Sequence, residues 1–308
     1  MNQPIQLSQF EQYTSARHPL ESVRRAPRSL YIHVPFCFHK CHYCDFYSFV
    51  DARDRQPLYT DALCAELRAT ARAVSVDGPS PALDTIFVGG GTPTLLEPDH
   101  WRRILDTLHD AFTLRSDAEF TVESNPETTR PDVLEVLARG GVNRISIGAQ
   151  TFDTTHLRTL ERHHDPQNVR RALQNARDAG INRRSIDLIF AIPSQTIDDL
   201  RDDLRRAIEL GELIEHISLY NLMYEPNTAL TQRMRSGAVD PVDEQTEIEM
   251  YELVNTTLEA HGMPSYEISN FARPGAECRH NLAYWRQDQW LAAGPSASAH
   301  AGGYRWKN

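Results

Sequence analysis

Lysine is nearly missing from this chain. Of its 32 lysines and arginines only Lys40 and Lys307 are lysines, which removes most routes to Schiff-base chemistry and leaves no Gly-Lys-Ser/Thr step for a phosphate loop. Positive charge is in deficit overall. A formal net charge of −10 and a pI near 5.7 argue against a protein that holds nucleic acid by neutralising phosphates. Long apolar runs are also absent: no stretch approaches the roughly 18 residues that cross a bilayer, and residues 1–27 mix Gln, Glu and Arg where a signal peptide needs an apolar segment. A cytoplasmic chain is expected, associated with a membrane peripherally if at all. Cysteines number five, too few and too uneven for a disulfide framework, so reduced thiols are expected.

What is present is a regular alternation. From about Ser29 to Asn221 short β-rich runs alternate with helix-period segments, the signature of a parallel sheet with crossover helices. Six strands are predicted at Leu30–Val34, Thr85–Val88, Glu119–Glu123, Arg144–Ile147, Ser185–Phe190 and His216–Tyr220. Helical faces recur in Tyr59, Leu63 and Leu67, and in Trp101, Ile104, Leu105 and Leu108. Further helices are expected at Pro131–Ala138, Pro166–Ala179, Ile197–Leu210 and Asp243–Ala260, with Gly180 and Gly211 where C-caps belong. Residues 75–83 read as a surface loop. Six successive units fit an open partial (β/α)6 barrel of TIM type, an α/β fold with its chemistry at the C-terminal strand ends. The organisation expected is an N-terminal extension 1–27, a barrel 28–235 and a C-terminal extension 236–308.

Three of the cysteines, Cys37, Cys41 and Cys44, follow the first strand in a Cys-x-x-x-Cys-x-x-Cys spacing, while Cys64 and Cys278 stand alone. Structural zinc takes four ligands, whereas an iron–sulfur cubane held by three leaves one iron open. His39 or His42 offers a fourth ligand, so a Cys3His zinc knuckle stands beside the cluster reading. Phe36, Phe38, Tyr43 and Phe46 read as an apolar surround for a redox cluster. The second strand ends in Gly89-Gly90-Gly91-Thr92-Pro93-Thr94, either a tight turn or a loop that lets backbone N–H groups approach an anion. Glu123, Gln150 and Asp187 fall near the ends of the next three strands, and Arg162 follows the fourth; each reads equally as a solvated strand end or a ligand contact. In the tail, His280-Asn281 with Tyr284-Trp285 reads either as a hydrogen-bonded corner or as an iron ligand beside flat aromatic faces. Cys64 and Cys278 read as small buried hydrophobes, and His163 and His164 as surface residues.

The three-cysteine loop with Tyr43 before its last thiol resembles the radical S-adenosylmethionine (SAM) family. Segments from Ser29 to about Trp306 resemble its oxygen-independent coproporphyrinogen III oxidases and the related heme chaperones. The resemblance implies a [4Fe-4S] cluster on Cys37, Cys41 and Cys44, whose open iron chelates SAM and whose electron splits the sulfonium to a 5′-deoxyadenosyl radical. It implies SAM contacts at Tyr31, Tyr43, Gly90, Gly91, Thr92, Glu123, Gln150, Arg162 and Asp187, and at Met223 through its backbone. True oxidases of this group carry an additional cysteine where this chain has Phe46, and the run from His280 to Trp285 resembles the chaperone signature. The function implied is a heme chaperone with heme as cargo, His280 as iron ligand, a flavodoxin or ferredoxin as electron donor and a membrane-associated respiratory protein as acceptor. The alternative is oxidative decarboxylation of coproporphyrinogen III; a zinc-stabilised binding module is the remote one. Family members usually continue further, so the C-terminal extension is expected to be shortened here.

Overall fold

The computed structural model describes residues 27–51, 54–75 and 82–308. Residues 1–26 of the expected N-terminal extension, and residues 76–81 of the expected loop, lie outside the described residues.

A two-residue alternation governs the fold. In β1 (Ser29–Val34) the residues Leu30, Ile32 and Val34 are fully buried on the side that meets the helices, while Ser29, Tyr31 and His33 point the other way, as strand pleating dictates. After two short paired strands, β2 (Phe36–Cys37) and β3 (Phe49–Val50), the chain enters helix α1 (Gln56–Val74). The same pattern then repeats through β4 (Leu83–Gly90), α2 (Pro98–Ala111), β5 (Leu114–Ser124), α3 (Pro131–Arg139) and β6 (Arg144–Gln150). It continues through α4 (Thr154–Thr159), α5 (Gln167–Asp178), β7 (Arg183–Phe190), α6 (Ile197–Ile208) and β8 (His216–Asn221). The outward residues, such as Ile86, Phe120, Ile145, Ile186 and Ile217, join the helices' Leu63, Trp101, Leu134, Leu173 and Leu204 in one core. The inward positions are polar instead: Glu123, Arg144, Ser146, Asp187 and Ser218. Parallel strands that face helices on both sides read as unbroken apolar runs. A sheet apolar on one face and polar on the other is closing around a chamber.

The six sequence-predicted strands pair in parallel and in sequence order, β1-β4-β5-β6-β7-β8, as expected for a partial barrel. Beyond them come α7 (Ala229–Arg235), α8 (Glu244–Ala260), β9 (Asn270–Ala272), α9 (Arg279–Trp285), β10 (Trp290–Ala293), β11 (Ser298–Ala301) and β12 (Tyr304–Lys307). Periodicity gave no sign of the last three strands, nor of α4, α7 and α9. β9 pairs antiparallel with β8, and β10 pairs parallel with β1 and carries β11 and β12 outward. The tail therefore extends both edges of one ten-stranded sheet. Gly180 (φ +88) follows the C-cap of α5, but Gly211 (φ +60) opens a 3-10 turn beyond the C-cap of α6 at Glu209.

Candidate functional site

The inner face encloses a cavity of about 950 Å³ at the C-terminal ends of the parallel strands. Its lining includes all fourteen residues singled out from the sequence: Cys37, Cys41, Cys44, Tyr31, Tyr43, Gly90, Gly91, Thr92, Glu123, Gln150, Arg162, Asp187, Met223 and His280.

The thiols sit on a braced loop. Lys40 donates from Nζ to the carbonyl of Phe46 (2.7 Å) and to the Ser48 hydroxyl (2.9 Å), the Cys44 N–H donates to the Cys41 carbonyl (3.2 Å), and the Leu230 N–H of α7 donates to the His42 carbonyl (2.9 Å). Tyr43 packs on a small apolar cluster of Leu160, Ile189, Ile192, Leu222 and Leu230. Phe36 departs from the expected surround: it is buried in the main core, 5.5 Å from the Phe49 ring and 5.2 Å from Tyr59. Phe38 and Phe46 do line the cavity, with large exposed surfaces. All five cysteines are free, and burial pushes the Cys37 and Cys44 thiols up.

The three glycines that end β4 and follow it, Gly89 to Gly91, are required by packing. Gly90 has φ +110, and a Cβ there would meet the His33 ring at 2.4 Å; at Gly91 it would lie 2.5 Å from the Phe36 carbonyl oxygen. The Gly90 N–H donates to Glu123 (3.0 Å). Burial, with the Asp187 carboxylate adding to it, pushes Glu123 up to about 7. Burial also raises Asp187, opposed by hydroxyl bonds from Ser218 and Ser146 and by Arg144 and Arg162; the Ser146 bond is 2.8 Å. Arg162 donates to the Gly148 carbonyl (2.7 Å) and lies 3.7 Å from the Cys41 sulfur, while its buried Nε has no partner in the protein. Gln150 ends β6 at φ +64, a left-handed conformation that non-glycine residues seldom adopt. Met223 is 64% exposed.

His280 is fully buried. Its Nδ1 pairs with the Thr85 hydroxyl at 2.8 Å and its Nε2 with the Tyr284 hydroxyl at 2.9 Å. Burial, helped by Arg144, lowers it to about 3, so the ring is neutral. Glu119 fastens this region to the barrel by accepting from the N–H groups of Arg279 and His280, each at 3.0 Å.

Sequence reasoning missed several cavity residues. His164, expected at the surface, is buried and lines the cavity; both ring nitrogens lack partners, and burial lowers it to about 4. Arg144, Ser146, Ser218 and Tyr220 also line it. The signal that finds these four is the strand alternation: they occupy the polar positions of otherwise aliphatic strands.

The donor set bears on the choice between an iron–sulfur cluster and zinc. A tetrahedral zinc with Zn–S near 2.3 Å needs its sulfurs about 3.8 Å apart. Among the described residues the set of three ligand atoms lying within 4.8 Å of one another is His39, Glu161 and His163, not the thiols. His39 faces Glu161 (3.5 Å) and His42 approaches Arg233 (3.4 Å). Three free thiols on one cavity, beside an unpartnered guanidinium nitrogen, fit a multi-iron cluster with an anionic ligand.

Comparison with known proteins agrees with this geometry. The family model of the Radical SAM superfamily matches residues 31–207. The heme chaperone HemW of Bacillus subtilis is 39% identical over 282 residues, 91% of this chain and 73% of the relative; that of Escherichia coli is 38% identical over 277 residues, 89% and 70%. Among solved structures, the coproporphyrinogen III oxidase HemN from Escherichia coli, a radical SAM enzyme, superposes with a TM-score of 0.81 at 27% identity, covering 94% of this chain and 69% of that one. The barrel, its three-thiol loop and these relatives agree: the chain belongs to the radical SAM superfamily and, within it, to the HemW heme chaperone family.

Proposed function

We propose that this chain binds heme and delivers it to a membrane-associated respiratory protein, and that its barrel chamber holds a [4Fe-4S] cluster and SAM. Membership of the superfamily implies the cluster and SAM, and the relatives' name implies heme. The observation that carries the reading is the convergence of three free thiols, a glycine turn and half-buried carboxylates on one chamber whose wall carries the His280–Tyr284 pair.

In this reading Cys37, Cys41 and Cys44 hold the cluster, which when bound supplies an electron to the SAM sulfonium, drawn from a flavodoxin or ferredoxin. The chain's own residues bind and orient. Gly90, Gly91 and Thr92 offer close backbone approach to the methionine end, and Arg162 brings a buried cation to its carboxylate. Glu123 and Asp187, with Gln150, present acceptors and donors to ribose and adenine, while Tyr31, Tyr43 and the Met223 backbone complete the enclosure. His280 serves the cargo by fixing Tyr284 in the chamber wall; for its Nε2 to reach iron, Tyr284 must release it. No helix among the described residues is long and apolar enough to cross a membrane; contact with the membrane acceptor is read here as peripheral.

Phe46 supports the chaperone over the oxidase. It is 60% exposed on the cysteine loop, where oxidases of the group carry their extra thiol. The deciding experiment titrates hemin into anaerobically reconstituted protein and then adds vesicles bearing the heme-free respiratory acceptor. Stoichiometric uptake followed by transfer is expected. Protoporphyrinogen formed from coproporphyrinogen III, without stable hemin binding, would replace this reading with the oxidase.

A further inference from the structure

A second cavity, of about 790 Å³, lies beside the first and shares Tyr31 and Tyr284 with it. We propose that this second cavity seats the heme, with His300 as the iron ligand and Arg305 and Lys307 as partners of the propionates; the proposal rests on the chaperone reading above.

The sheet edge builds this site. β10, β11 and β12 run antiparallel to one another, with Trp290 opposite His300, His300 opposite Arg305 and Ser298 opposite Lys307. Residues directly opposite share one face, so an indole, an imidazole and two cations form a row across three strands. The Trp290 ring is held by its Nε1–H donating to the Ser298 carbonyl (2.8 Å), and it meets the Tyr284 ring at 4.6 Å and the His300 ring at 5.0 Å. The Arg305 guanidinium stands 5.4 Å from the Trp290 ring centroid. Tyr47 and Phe46, which follow the three thiols, also line it.

Charge decides between the cavities. Heme carries two propionates and a flat apolar body. The larger cavity sets six carboxylates, among them Glu123 and Asp187, against the two guanidinium groups of Arg144 and Arg162, an excess of negative charge that disfavours such an anion, whereas the smaller sets Arg305 and Lys307 against a single carboxylate, Asp45. Its size also falls within the range of small-molecule sites, about 300–1,000 Å³.

The imidazoles make the same choice. His33 also lines the smaller cavity but is fully engaged: its Nε2–H donates to the Tyr47 carbonyl (2.7 Å) and its Nδ1 pairs with the Tyr31 hydroxyl (3.0 Å). His280 is engaged at both nitrogens. His300 differs. A carbonyl can only accept, so the bond from His300 Nδ1 to the Asp288 carbonyl (3.2 Å) puts the proton on Nδ1 and leaves the Nε2 lone pair for a metal, the arrangement in which histidine ligands are commonly held.

Hemin and its dimethyl ester are titrated into cluster-loaded protein, followed by absorbance and electron paramagnetic resonance. Wild type should give an imidazole-ligated low-spin spectrum and bind hemin about tenfold tighter than the ester, the scale of a lost pair of charge-assisted contacts. His300→Ala should lose that spectrum and regain it with added imidazole, while the doubly substituted Arg305→Ala, Lys307→Ala protein should bind acid and ester alike. The ester comparison needs no variant, so a misfolded edge strand cannot mask the answer. Wild-type protein that binds hemin, with His300→Ala keeping the native spectrum or the ester binding as tightly as the acid, overturns this site alone. Wild type that takes up no hemin overturns the chaperone reading and the site with it.

Discussion

The Nε2 of His280 and the hydroxyl of Tyr284 share a hydrogen bond of 2.9 Å across one turn of α9, and Tyr284 belongs to the walls of both cavities. The histidine most suggestive of a metal ligand in the sequence thus has both ring nitrogens engaged, and we read it as a buried pin that holds an aromatic partition.

His280→Ala should therefore act first on stability. It leaves Thr85 and Tyr284 without their partner and opens space beside Phe87, whose ring centroid is 5.3 Å away, a loss of about 2–4 kcal/mol in urea unfolding. Bound hemin should keep its low-spin spectrum, with affinity reduced because Tyr284 is no longer held. An unfolding midpoint equal to wild type, together with loss of the imidazole signature, would return His280 to the role of ligand.

Glu123 should make the unliganded protein lose stability as pH rises. Its carboxyl is raised from 4.5 to about 7, so between those values the folded chain binds more protons than the unfolded chain. The stabilisation is complete below the lower value and is lost as pH climbs through the upper one. Glu123 faces the chamber and keeps some solvent, so we expect a contribution of about 2 kcal/mol. Denaturation of wild type and Glu123→Gln from pH 4 to 8 should give curves that diverge toward pH 8, with the variant the more stable; parallel curves would contradict the raised carboxyl.

Gly91→Ala should be poorly tolerated. Its Cβ would meet backbone atoms of Phe36 and Pro35 at 2.5 and 2.9 Å, and backbone cannot swing aside as a side chain can. A loss of about 2–4 kcal/mol is expected, with weaker SAM retention in equilibrium dialysis. Wild-type values for both would show that the turn relaxes freely.

Serine at Cys37, Cys41 or Cys44 should each abolish the brown colour near roughly 400 nm in anaerobic preparations and bring iron and sulfide content close to zero. Alanine at Cys64 or Cys278, both buried away from the three-thiol loop, should leave iron unchanged. Stoichiometric zinc in the wild type, with no sulfide, would restore the knuckle reading of the loop.

Much of the barrel was legible because its signals are local. The strand cores Leu30–Val34 and Ser185–Phe190, the cysteine spacing and the glycine turn are written within a few residues each, and the structure extends the strands by only a few residues. His164 was not legible. It sits in a polar run, Glu161 to Asp165, and nothing in that run reveals that the fold buries it in the cavity wall. Phe36 likewise reads as part of a cluster surround, yet its neighbours Phe49 and Tyr59 come from β3 and α1 and draw it into the core.

The sequence by itself determined the alternation of strand and helix, the family, and the residues that gather on the inner face, because pleating converts a two-residue pattern into two faces of opposite character. Only the tertiary structure decided what the tail does. Segments as short as Trp290–Ala293 and Ser298–Ala301 carry too little periodicity to announce themselves, and they become strands by pairing, the first with β1 at the far end of the chain and the second with the first. Strand pairing, and not any local preference, aligns Trp290, His300 and Arg305, and Thr85 and Glu119 of the barrel, with Tyr284 of α9, fix His280.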